Sequence, residues 1–310
     1  MMAAAVLLAS ACTSLLAGPL RDSALPLSGK RVLLAGPRTE AAPLAYALVQ
    51  AGSRPAWCPG VRVEPLDDYA ALDEALMRLT EYDVAVMLSR HAIDSVAERW
   101  LSLADGSLEV VQAMLDASSI EIGVVGCDAR HLRRRLGVPP NVVPIESASR
   151  ALADTLRDLG HVAPGAKVLV CVGQWMAAAA DDEQLPAMAA SLLQRLRDSG
   201  AEAECVFTHA IRPNGGEGDE SSFAAELELL RSGAVDALCA GSVEELRALA
   251  AGTPGDAEWP AVLVALGEET AACARELAPQ AEVLELGSHP DESAVVEALE
   301  AHFGAGRLLF

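Results

Sequence analysis

Along almost the whole chain, apolar runs of strand length alternate with stretches whose apolar residues recur at helical spacing. The clearest instance is Asp83 to Ile93, DVAVMLSRHAI, where an apolar run ends in a short polar loop and an amphipathic helix follows. Ala234 to Leu246, AVDALCAGSVEEL, repeats that design far downstream. Two such units so distant in sequence predict two similar α/β domains. Each presents its loop at the carboxyl end of a parallel sheet, where open α/β folds bind ligands.

The other elements follow in order. Arg31 to Leu34 is a strand closed by Ala35-Gly36-Pro37, a helix runs to Gly52, and Arg54 to Cys58 is extended. Val61 to Leu66 carries the chain elsewhere, and Asp67 or Asp68 caps a helix from Tyr69 to Leu79. Beyond the first unit come a helix at Leu108 to Leu115, a strand at Ile120 to Val125, and a helix from Ala129 to Leu136. A brief strand at Asn141 to Pro144 precedes a helix from Ser147, capped by Ser147 or Ser149. Ala166 to Val172 is a strand ending in Gly173-Gln174-Trp175, Leu185 to Leu196 a helix, and Ala203 to Phe207 extended. Thr208 to Pro213 reads as a second crossing segment, and Asn214 to Ser222 as an exposed loop. After the second unit, strands at Pro260 to Leu266 and Val283 to Leu286 alternate with helices at Thr270 to Leu277 and up to Phe303.

The last region alone has too few strands for a doubly wound sheet, and Arg31 to Cys58 supplies the rest. The predicted layout is therefore a discontinuous α/β domain, residues 29–62 with 213–308, and an inserted α/β domain, residues 63–212. The two crossings form a hinge, and residues 1–28 are a targeting segment and linker. Helices covering both faces of parallel sheets account for the alternation.

Composition narrows the function. Apolar residues make up 52% of the 310, enough for two cores, and 44 Asp+Glu against 23 Lys+Arg give a formal net charge of −21. Nucleic-acid phosphates would be repelled by such a chain. The seven cysteines (Cys12, Cys58, Cys127, Cys171, Cys205, Cys239 and Cys273) lie far apart, without a CxxC pair, and read as buried thiols. Met1 to Ala17 is apolar and small, without an acidic residue, and too short for a membrane span. It resembles a secretory signal, or the first part of a plastid import signal in an alga whose plastid lies behind additional membranes.

Several short pieces in fixed order carry a family resemblance. They are Val32-Leu33-Leu34-Ala35-Gly36-Pro37-Arg38, Glu64-Pro65-Leu66, Tyr82-Asp83 through Ser89-Arg90-His91-Ala92-Ile93, Val125-Gly126-Cys127-Asp128-Ala129, and Leu266-Gly267-Glu268-Glu269-Thr270-Ala271. Together with the second unit they resemble uroporphyrinogen-III synthase over residues 30 to 305. The resemblance implies two flavodoxin-like parallel-sheet domains joined by a two-segment hinge. It implies closure of the linear tetrapyrrole hydroxymethylbilane into uroporphyrinogen III, with loss of water and inversion of the last pyrrole ring. No metal or organic cofactor is expected. A monomer, working beside the preceding pathway enzyme in a plastid after removal of the signal, completes the expectation. Several positions depart from the family pattern. Ala35-Gly36 stands where Thr-Arg is frequent, Leu88 where Thr is usual, and Cys239-Ala240 where a Thr-Ser pair is expected. Gly173-Gln174 stands in place of Arg-Gly, and His209 in place of a tyrosine. These keep a second reading open, a noncatalytic or regulatory tetrapyrrole-binding homologue.

Within that resemblance His209 is the candidate for leaving-group protonation or for cleft polarity, since imidazole titrates near neutral pH. A partly exposed linker histidine is the structural alternative. Ser89 serves either a substrate carboxylate or the start of the following helix. Arg38 and Arg90 offset the acidic surface and grip carboxylates, or face solvent. Ser242 and Thr270 stand at helix starts, where capping competes with ligand contact. Pro37, Gly126, Thr208 and Gly267 complete the expected substrate-binding set, and His91 is read as structural. No Gly-x-Gly-x-x-Gly pattern supports nicotinamide binding. A bilobal small-molecule binder fits the plan but not the cysteine usage.

Overall fold

The computed structural model describes residues 25–125, 128–144, 149–176, 185–214, 223–253, 259–287 and 291–305. β1 (Arg31–Leu34), α1 (Arg38–Gln50) and β2 (Arg54–Trp57) come first, and β3 (Val61–Glu64) leads away from them. Next come α2 (Ala70–Met77), β4 (Val84–Met87), α3 (Arg90–Leu103), α4 (Leu108–Ser118), β5 (Glu121–Val124) and α5 (Asp128–Leu136). α6 (Ser149–Asp158), β6 (Lys167–Trp175), α7 (Ala187–Asp198) and β7 (Glu202–Pro213) follow. The chain then adds α8 (Ala224–Arg231), β8 (Ala237–Ala240), α9 (Val243–Gly252), β9 (Val262–Leu266), α10 (Glu268–Leu277), β10 (Glu282–Leu286) and α11 (Glu292–Ala305).

These strands make two five-stranded sheets, β10-β9-β8-β1-β2 and β3-β7-β6-β4-β5. Counted in order of appearance, the first reads 2-1-3-4-5, the flavodoxin-like order, and the second reads 2-1-3-4 once β3 is set aside. The fold class is thus two parallel-sheet α/β domains of flavodoxin type. One edge breaks the parallel rule: β3 runs antiparallel to β7, from Val61 opposite Pro213 to Glu64 opposite Ala210.

Burial explains why the strands read as unbroken apolar runs. All four residues of β4 and of β8 are buried, because helices cover both faces. Val84 and Val86 pack with Leu152, Leu156 and Leu192 on one side. Ala85 and Met87 meet Ile93, Val96 and Trp100 on the other. In the first sheet Leu33, Leu238 and Leu263 face Leu246, Leu249 and Ala271. Val32, Leu34 and Val264 face Leu48, Val295 and Leu299. Each such side chain contributes roughly 1.5–3 kcal/mol by leaving water. The edge strand β10 differs, with Glu282 and Glu285 exposed, a pattern that discourages pairing with another sheet.

Several local expectations change. Ala203–Phe207 and Thr208–Pro213 are one twelve-residue strand, β7, so the second crossing continues the sheet. β6 likewise continues through Gly173-Gln174-Trp175, with a shift of register between Val172 and Gly173. Asn141 to Pro144 supplies a single bridge, Val142 to Gly123, in place of a strand. Glu268 and Glu269 begin α10 and are not loop residues. Asp68 does support α2, accepting the Ala70 N–H at 2.8 Å. Residues 1–24, Gly126, Cys127, Ser147 and most of the expected Asn214–Ser222 loop lie outside the described residues. Cys58, Cys171, Cys239 and Cys273 are buried and Cys205 partly so, each a free thiol. Among the described residues no helix is long and apolar enough to cross a membrane.

The two lobes are tied at the β3–β7 pair. Glu64 accepts from Arg62 Nε at 2.7 Å and Arg212 Nε at 2.8 Å, and the Arg62 bond, with Arg212 behind it, holds its carboxyl below the usual carboxylate range. Asn214 closes the junction, giving its N–H to Gly60 O and its side-chain amide to Pro59 O.

Candidate functional site

In a doubly wound sheet the ligand crevice opens where the strand order reverses. Those points are the carboxyl ends of β1 and β8 in one lobe and of β4 and β6 in the other. The four ends face one another across a cleft of about 920 Å³, open solvent at its mouth included. Pro37, Gly241-Ser242, Leu88-Ser89 and Gly173 come from these ends, and Pro186, Leu266 and Thr270 widen the walls.

Helix starts converge there because each strand turns directly into a helix. Ser89 caps α3, its hydroxyl accepting the Ala92 N–H at 3.1 Å. Ser242 caps α9 in the same way, accepting the Glu245 N–H at 3.2 Å. Glu245 completes a capping box by reaching back, so that the Gly241 N–H donates to Oε2 at 2.7 Å. Pro37 precedes α1 and Gly267 precedes α10. Gly267 takes φ +99°, which favours glycine, and stands behind the wall formed by Leu266, Glu269 and Thr270. The amino ends of these helices direct partial positive charge into the cleft.

His209 sits on β7 against the end of β6 and is only 4% exposed. Burial, with a smaller push from His91, lowers its pKa to about 3, so the ring is neutral at physiological pH. The Thr208 hydroxyl donates to Val172 O at 3.1 Å, and His209 Nδ1 stands 2.8 Å from Thr208 Oγ1. With the hydroxyl hydrogen committed to the carbonyl, Nδ1 carries the ring proton and donates it to Thr208. Nε2 is left as an acceptor beside Gly173, where a Cβ would stand 2.6 Å from it. The register shift at Gly173 and the missing side chain keep that nitrogen open. His91 lies across from it, ring centroids 5.6 Å apart, its own pKa lowered mainly by burial.

Sequence reasoning passed over the carboxylates. Glu40, Glu244, Glu245 and Glu269 stand in the walls, and among the described residues no lysine or arginine does. Glu245 is 4% exposed. Loss of water pushes its pKa up to about 8, and the charge of Glu40 adds to this against the pull of the Gly241 N–H. Glu40, in the first turn of α1, is pushed up to about 7 by desolvation between the walls and by Asp128, with Arg90 pulling down. Its Oε1 is 3.9 Å from His91 Nδ1 in the opposite lobe. Glu244 also crosses the cleft, accepting the Ala187 N–H from the start of α7 at 2.8 Å. The Ser-x-x-Glu spacing from Ser242 to Glu245 was a readable signal. Glu40 and Glu244 offered none, since a glutamate in a first helical turn normally faces water.

Of the expected site residues, Pro37, Ser89, His209, Ser242 and Thr270 line the cleft. Thr208 is fully buried behind His209 as its hydrogen-bond partner. Arg90 points to Asp128, Nε to Oδ1 at 3.0 Å, and Arg38 lies over the Trp57 ring at 5.9 Å. Neither arginine reaches the cleft walls. Gly126 is outside the described residues. No three His, Cys, Asp or Glu side chains among the described residues converge as a metal site would require.

The model of the family "Uroporphyrinogen-III synthase HemD" matches residues 42–295. A search of curated proteins gives no match. Among solved structures, a mutant uroporphyrinogen III synthase of the extremely thermophilic bacterium Thermus thermophilus aligns with TM-score 0.55 and 18% identity, covering 89% of this chain and 100% of that one. The wild-type enzyme of the same bacterium, in another crystal form, aligns with TM-score 0.42 and 17% identity over 90% of this chain and 99% of that one. The first alignment carries the two-lobed fold. With the family model spanning both lobes and the cleft between them, the chain belongs to the uroporphyrinogen-III synthase family, as a divergent member.

Proposed function

We propose that this chain closes hydroxymethylbilane into uroporphyrinogen III, losing water and inverting the last pyrrole ring. The observation that carries the reading is the convergence of both switch points, with their helix starts, on one cleft between the lobes. Ionisation of the substrate's hydroxymethyl group gives a cation stabilised by its pyrrole nitrogen, so positioning and proton delivery set the rate. Backbone N–H groups at the starts of α3, α9 and α10 hold substrate carboxylates, with Ser89, Ser242 and Thr270 beside them. Neutral His209 supplies cleft polarity, its Nε2 accepting a pyrrole N–H, while its proton remains on the Thr208 side. The acidic walls favour the cationic intermediate over either flanking species.

In the same reading, residues 29–62 with 213–308 form one domain and 63–212 the other, hinged at β3 and β7. Residues 1–28 are an import signal and linker that take a monomer into a plastid, beside the enzyme that makes its substrate. The second reading, a tetrapyrrole-binding homologue without turnover, draws on the four wall carboxylates and the withdrawal of Arg38 and Arg90 from the cleft.

The test is the isomer ratio. Purified protein mixed with fresh hydroxymethylbilane should yield the III isomer faster than spontaneous closure yields the I isomer, and in excess over it. An unchanged ratio at high protein concentration removes the catalytic reading, and tetrapyrrole binding under those conditions supports the second.

A further inference from the structure

We propose that Glu40 is the catalytic acid of this cleft, its carboxyl delivering the proton that carries the substrate hydroxyl away as water. The inference rests on the cyclisation reading above and names the group which that reading left open. Four geometric facts carry it. Glu40 lies one helical turn after Pro37, at the switch point of the first sheet, and lines the cleft. Its side chain is 43% exposed, so a bound substrate can reach it. It faces His91 of the opposite lobe at 3.9 Å, and His91 in turn faces His209. Three other polar wall groups are held elsewhere. Glu245 is buried and holds Gly241 N–H, Glu244 holds Ala187 N–H, and His209 gives its only ring proton to Thr208.

The charges around Glu40 come from three packed elements: Arg90 and His91 on α3, Asp128 on α5, and Glu245 on α9. With a pKa near 7, its carboxyl and carboxylate forms coexist at neutral pH, as proton delivery and recovery both require. In the first half of the reaction the carboxyl O–H passes its proton to the hydroxyl oxygen. The carbon–oxygen bond breaks with its electron pair on the departing water, and the pyrrole nitrogen's lone pair stabilises the remaining methylene cation. In the second half that methylene carbon bonds to the substituted α-carbon of the terminal ring. The bond from that carbon to the neighbouring bridge methylene breaks, leaving a second methylene cation on the adjacent pyrrole. This cation bonds to the terminal ring's free α-carbon, which inverts the ring. The proton displaced from carbon on ring closure returns to the Glu40 carboxylate.

Glu40→Gln and Glu40→Asp in the full chain test this, with hydroxymethylbilane as substrate and folding checked by circular dichroism. The expected result for E40Q is a loss in kcat of about 100-fold or more, a KM changed less than about threefold, and disappearance of the wild-type fall in rate above about pH 7. E40D should recover part of the rate and restore the pH dependence. A bilane bearing an acyloxymethyl group, whose leaving group needs no proton, should be turned over by E40Q at close to the wild-type rate, since the final proton loss from the cationic ring is fast and can go to water. Wild-type activity matched by E40Q across the pH range overturns the role of Glu40 and leaves the cyclisation reading standing. A wild-type protein that leaves the isomer ratio unchanged overturns both. E40Q that is equally slow on the acyloxymethyl bilane assigns Glu40 to cleft architecture and overturns its role as the acid.

Discussion

Replacing Glu245 by glutamine should flatten the pH dependence of stability between about pH 4.5 and about pH 8. The carboxyl is 4% exposed and titrates near pH 8 in the folded chain, against the ordinary 4.5 of the unfolded one. Between those values the folded state keeps a proton that the unfolded state has lost. Stability from this group is therefore full below about pH 4.5 and declines as pH rises through about 8. The decline is about 1.4 kcal/mol per pH unit, so from about pH 5 to about pH 7.5 it sums to roughly 3 kcal/mol. Glutamine has no charge to desolvate, and its side-chain oxygen can still accept the Gly241 N–H, so E245Q should lose this slope while keeping the helix start. Urea unfolding of both proteins across this range measures it, and the difference between the two cancels the titrating groups that do not feel the Glu245 charge. His209 works in the opposite sense at lower pH: its depressed pKa makes stability fall as pH drops from about 6.5 toward 3. Parallel stability profiles for E245Q and the wild type would refute the reasoning, since they would mean that Glu245 titrates alike in both states.

Two further outcomes follow from the loops. Ser89→Ala and Ser242→Ala each remove a side-chain cap and should each cost about 1 kcal/mol in chemical unfolding, whether or not substrate is present. Gly173→Ala would bring a Cβ to 2.5 Å from Ile211 Cδ1 and 2.6 Å from His209 Nε2, so the flexible Ile211 end must move and the imidazole acceptor is covered. Its unfolding midpoint should shift modestly while tetrapyrrole affinity, followed by absorbance titration, falls severalfold; unaltered affinity would take Nε2 out of ligand binding.

The central strands were legible because burial on both faces leaves no polar position to confuse the period, as in Val84 to Met87. The caps at Ser89 and Ser242 were legible because a serine stood directly before helical periodicity in each unit. What escaped was set by contacts between lobes. Arg90 reads as a free positive charge until Asp128, 38 residues on, is seen to face it. Glu40 reads as a solvated first-turn residue because the groups that shift it, the facing walls and the charges of Asp128 and Arg90, come largely from the other lobe. Gly173 looked like the end of a strand, since a register shift inside a parallel pair leaves no mark on hydrophobic period.

The place of β1 also sets an order of assembly during synthesis. It lies between β2 and β8, and the Arg31 N–H is bonded to Asp236, 205 residues further on. The strands of the second sheet, from Val61 to Pro213, are all synthesised before β8. The lobe begun second can therefore close first, while Val32, Leu33 and Leu34 wait with one edge unpaired. Pairing with β2 and cover from α1 are the early protection available to that segment, and truncation before β8 leaves it as an open sheet edge prone to association.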